Sequence, residues 1–71
     1  MTMFKELESV RLQHGMPEHG LDAGEGGTVV HVHAESDAYD VEFVEETGYT
    51  KALVTLKGDQ LAAWSASEAA E

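Results

Sequence analysis

Apolar and polar residues alternate with a period of two along much of this chain. The pattern is cleanest from Ala38 to Glu46, where Tyr39, Val41 and Phe43 fall on one face and Asp40 and Glu42 on the other. Successive side chains of a strand point to opposite faces, so this pattern describes a half-buried strand rather than a helix. The same period recurs in Ser9 to His14, with Val10 and Leu12 against Ser9, Arg11 and Gln13. It recurs again in Lys51 to Lys57, with Ala52, Val54 and Leu56 against Lys51, Thr55 and Lys57. Thr28 to His33 is a β-branched run of high strand propensity, and Leu61 to Trp64 is a last short apolar piece.

The segments between these strands read as turns. Gly15, Pro17, Gly20, Gly24, Gly26 and Gly27 crowd one stretch, so Gly15 to Gly27 reads as a long loop ending in a tight turn. Ala34 to Asp37 and Thr47-Gly48 are further turns, and Gly58-Asp59-Gln60 is a short turn or one loop of 3₁₀ helix. Met1 to Leu7, with Phe4 and Leu7 three apart, reads as one helical turn or an extended lead-in. Five short strands without a long helical period predict an all-β fold, a small barrel or strongly bent sheet, because curling is how so short a sheet covers its edges. The expected core is Val10, Leu12, Val30, Val32, Tyr39, Val41, Phe43, Val54, Leu56 and Leu61. An OB-type barrel competes, but it commonly carries a helix between its third and fourth strands, and nothing helical sits there.

A chain of 71 residues has room for one domain, expected here over residues 1–64, with 65–71 as a disordered acidic tail. By area scaling it buries about 60% of the surface its unfolded form exposes. It has no cysteine, which excludes disulfides and thiolate metal sites. No basic leader followed by an apolar run opens the chain, and no stretch reaches the roughly 18 apolar residues of a membrane helix. A soluble, cytoplasmic protein with no membrane partner is therefore expected.

Charge narrows the partners. Asp plus Glu number 14 against 4 Lys plus Arg, a formal net charge of −10. Lys5, Arg11, Lys51 and Lys57 are too few and too scattered for the basic stripe that phosphate binding needs, so no nucleic-acid partner is expected. An acidic surface steers basic proteins instead, while also serving simply to keep a small protein soluble.

The residues Phe4-Lys5-Glu6-Leu7-Glu8-Ser9-Val10, Pro17-Glu18-His19-Gly20-Leu21, the run from Ala23 to Val32, Tyr39-Asp40-Val41-Glu42-Phe43 and Ala52-Leu53-Val54-Thr55-Leu56 together carry a likeness. In them the chain resembles a group of small bacterial proteins catalogued as a domain of unknown function, family number 4926, over about Phe4 to Leu61. The resemblance implies a small five-stranded SH3-like barrel and brings no activity with it. It also implies an antitoxin or immunity-type role, since members of that family are thought to sit beside toxin-like genes. Gly24, Gly27 and Val29 are in addition similar to the turn of the KOW motif of ribosomal and transcription factors, whose barrels are basic where this chain is acidic.

Among residues able to carry chemistry, the histidines come first. His31 and His33 are two apart and share one strand face, about 7 Å from each other by strand rise. With His14 or His19 and a carboxylate such as Glu35 or Asp37 they could share a transition metal. Against that, His-x-His arises readily on an exposed strand, and histidine is commonly a satisfied, half-buried residue. Glu18 and His19 lie in the long loop as a candidate proton-transfer pair, or as residues that pin the loop to the barrel. Glu45-Glu46 and Asp40 with Glu42 read as a solvated acidic face. A barrel this small fills its interior with side chains, and no nucleophile beside a base is legible, so neither enzymatic activity nor a cofactor is expected. Tyr39, Tyr49 and Trp64 are candidates for an outward aromatic patch, unless Trp64 closes the barrel end and Tyr39 is core. A sheet edge around Ala52 to Leu56 could pair with a second copy, so monomer and homodimer both stand. The sequence thus predicts a protein-interaction module with a basic protein partner, in which Glu18, His19 and Tyr49 make contact. The alternative is a metal-binding or catalytic domain built on His31, His33 and His19.

Overall fold

The computed structural model describes residues 4–45 and 47–64. Five strands form one antiparallel sheet: β1 (Ser9–Leu12), β2 (Gly26–His33), β3 (Ala38–Val44), β4 (Thr50–Lys57) and β5 (Leu61–Ala63). The strand order is β4-β3-β2-β1-β5. Single 3₁₀ turns at Pro17–His19, Ala34–Ser36 and Gly58–Gln60 join them, and among the described residues there is no α-helix. Among the described residues no helix is long and apolar enough to cross a membrane. This is the expected five-stranded all-β fold. Its strand order is consistent with an SH3-like arrangement, although β4 and β5 form the two edges and are not paired into a closed barrel.

The strand β2 serves two partners with different halves. Ser9, Val10 and Arg11 pair with Thr28, Gly27 and Gly26, while Thr28 to His33 runs against Ala38 to Glu42. The register shifts between Val29 and His31, so Val30 is the extra residue of a bulge, the device by which a strand bends and increases its twist. Just before the bulge, Val29 bonds with the lead-in through Leu7 N to Val29 O at 2.6 Å and Val29 N to Glu8 O at 2.9 Å.

The bulge corrects the expected core. Unbroken alternation from Thr28 places Val30 and Val32 inside, but the two halves of β2 are out of phase. Val29 faces the core fully buried, Val30 is half-buried, and Val32 packs against the core from its margin. The other expected core residues are buried, and Phe4, Leu21 and Ala38 join them. Phe4 is held edge-on to Tyr39, ring centroids 5.3 Å apart, so the lead-in is a lid on the core rather than a free helical turn.

Boundaries shift for local reasons. β1 ends at Leu12 because Gln13 turns to β5, its amide donating to Gln60 O and its side chain to Leu61 O at 2.7 Å. β2 begins two residues before Thr28, since Gly26 and Gly27 are strand and not turn. At Gly27 a Cβ would sit 2.7 Å from Val41 Cγ1 and 2.9 Å from both Glu42 O and Phe43 Cδ1, so only glycine lets β2 lie this close to β3. β3 ends at Val44, and β5 at Ala63. Glu46 and the expected tail at 65–71 lie outside the described residues.

Candidate functional site

The β1–β2 loop is folded onto the sheet rather than free. Met16 and Leu21 bridge across the Pro17–His19 turn, Gly20 closes that turn at φ 69 with its amide on Pro17 O, and Leu21 is buried. Glu18 and His19 are thereby displayed on the turn, both exposed, with no side-chain hydrogen bond to another described residue. Tyr49 follows Gly48 (φ 96) in the β3–β4 turn and is 75% exposed. The two loops lie at the same end of the sheet, joined where Lys51 Nζ meets Glu25 Oε2 at 2.8 Å. Lys51 is the extra residue of a second bulge, between the pairs Phe43–Ala52 and Val44–Thr50, which frees it to reach the loop. Its ammonium and the Asp22 amide hold the Glu25 carboxyl below the usual carboxylate range, and Glu25 in turn raises Lys51.

His31 and His33 do share a face, their rings edge to face at 4.6 Å. His33 Nε2 lies 3.0 Å from Asp40 Oδ1 across the β2–β3 ladder, and Thr55 Oγ1 donates to the same oxygen at 2.6 Å from β4. A carboxylate only accepts, so this contact places a proton on His33 Nε2. Thr55 first and His33 second hold the Asp40 carboxyl below its ordinary range. The row is a polar cross-strand tie. His19 belongs to the loop that enters β2 at Gly26, and the length of that strand separates it from His33. Among the described residues no three His, Asp or Glu side chains are grouped to hold a metal ion.

A different place on the molecule is concave. A cleft of about 230 Å³ is lined by Ser9, Val10, Gly26, Gly27, Thr28, Val44 and Trp64. Trp64 follows β5 and is anchored by its amide on Ser9 O at 3.2 Å. Its indole lies against the bare backbone of Gly26, 3.4 Å from where a Cβ would stand. Trp64 is 40% exposed and Val44 is 46% exposed. Trp64 is therefore a wall of an open cleft, whereas Tyr39 is core. The glycine pair, read in the sequence as turn punctuation, is the floor; its only signal was two glycines directly before a β-branched run.

Residues 6–63 match the family model described as Domain of unknown function (DUF4926). The chain belongs to this family. No curated protein and no solved structure matches it. The span matched by this family takes in all five strands and every cleft residue except Trp64, which stands one position beyond it.

Proposed function

We propose that this chain is a non-enzymatic interaction module that binds a basic protein, in the manner of an antitoxin or immunity-type partner. The observation that supports this reading is the display of charge. The chain carries a net charge of −10. No charged residue is buried among those described. Two of the few cations are already engaged within the molecule, Lys51 by Glu25 and Lys57 by the Ser36 carbonyl at 2.9 Å. The field around the fold is thus dominated by solvated carboxylates, which accelerates encounter with a basic surface and repels nucleic acid. Exposed Tyr49 and Leu53 add apolar area that such a partner could cover.

An affinity pull-down from the source cells at low and moderate salt, with bound proteins and metals both quantified, tests the reading. The expected result is one basic protein retained at low salt and released as salt rises, because exposed charges are screened within a Debye length. Retention of one metal per chain with no protein partner would overturn it.

A further inference from the structure

The cleft at Trp64 has a size, a lining and a charge setting that together point to one kind of occupant. At about 230 Å³ it falls below the roughly 300–1,000 Å³ of a cofactor or small-molecule site. It offers room for a single side chain. Trp64, Val44 and the Gly26–Gly27 floor line it together with Ser9, Val10 and Thr28. Tryptophan at the wall of a partly open recess is the residue type that anchors protein interfaces.

Charge selects the partner. Glu8, Glu25 and Glu45 directly adjoin lining residues in sequence, and Glu42 pairs with Thr28 across the ladder. Two cations lie nearby, Arg11 paired with Gly26 and Lys51 bound to Glu25, so carboxylates remain in excess. A second copy of this chain would bring −10 against −10. We propose that the cleft seats an extended basic segment of the partner protein, one apolar side chain lying between Trp64 and Val44 and flanking arginines or lysines facing the surrounding glutamates. This rests on the interaction-module reading and specifies where contact is made.

Trp64 is the chain's only tryptophan, so its fluorescence reports on the cleft directly. The test uses the whole chain and two capped peptides, one with a leucine flanked by arginines on both sides and one with glycine in its place. Fluorescence and calorimetry are followed in parallel. The expected result is a saturable blue shift of Trp64 emission with the leucine peptide, which binds about tenfold or more tighter than the glycine peptide, as burial of one leucine side chain requires. Val44→Arg and, on another part of the lining, Ser9→Arg each abolish that preference while the far-ultraviolet circular dichroism stays unchanged. Equal affinity for the two peptides, or binding heat without a change in Trp64 emission, would show attraction by charge alone; this sinks the cleft and leaves the module reading standing. No heat from either peptide also overturns the cleft, and the pull-down then decides the broader reading by itself.

Discussion

Lys51 Nζ and Glu25 Oε2, 2.8 Å apart, tie the start of β4 to the end of the loop that leads into β2. The signs of their shifts define when the tie holds. Glu25 is lowered, so its contribution is complete above the ordinary carboxylate range of about pH 4 and is lost as pH falls through the folded value. Lys51 is raised, so its contribution is complete below the ordinary lysine value of about 10 and is lost as pH rises through the folded one. Between those limits, Lys51→Ala should speed amide exchange at Asp22 to Glu25 while leaving the global melting temperature nearly unchanged, as expected of an exposed pair.

Gly27 and its neighbour should respond very differently to the same methyl group. Gly27→Ala drives a Cβ into Val41, Phe43 and the Glu42 carbonyl and should destabilise by about 1–3 kcal/mol in urea unfolding. The nearest atoms to the Cβ of Gly26→Ala are Trp64 ring atoms at 3.4–3.5 Å and the Val10 carbonyl at 3.7 Å, so this variant should stay within about 0.5 kcal/mol of the parent. Equal effects would show that β2 does not approach β3 as closely as described.

Leu21 and Leu7 form a second contrast. Both sit outside the strands, yet Leu21 is 1% exposed and Leu7 is 75% exposed. Leu21→Ala should cost about 2–5 kcal/mol, as for a core leucine, and Leu7→Ala about 0.5 kcal/mol or less. Chemical denaturation of the two variants separates a loop packed as core from a loop that merely covers the surface.

Asp40 should titrate below the usual aspartate range, because Thr55 and then His33 bond its charged form. Its stabilising contribution is present above the ordinary aspartate value and fades as pH falls toward the folded one. Asp40→Asn should therefore make the acid limb of the stability curve shallower. Proton-detected titration of the Asp40 carboxyl gives the direct check, and an ordinary value would remove the cross-strand tie as an explanation.

Period-two patterning made the strands around Val10, Val41 and Val54 legible, since a half-buried strand writes its two faces into consecutive residues. It failed at Val30 because a bulge is set by pairing with a second strand and leaves no mark in local alternation. Leu21 was hidden for a related reason: glycine and proline reveal a turn but not where its apolar residue lands. Of the interaction residues suggested by the sequence, Glu18, His19 and Tyr49 are displayed as exposed loop groups at one end of the sheet. The cleft was not legible, because it depends on Trp64 and Gly26 meeting although they lie far apart in the chain.

The pairing of β1 with β5 has a consequence in time. Val10 to Leu12 find their outer partners only in Leu61 to Ala63. During synthesis the hairpins of β2, β3 and β4 can form from neighbouring segments, whereas β1 keeps one flank unsatisfied until almost the whole described chain has emerged. Completion of this sheet should therefore come late and abruptly, with β5 closing the flank of β1.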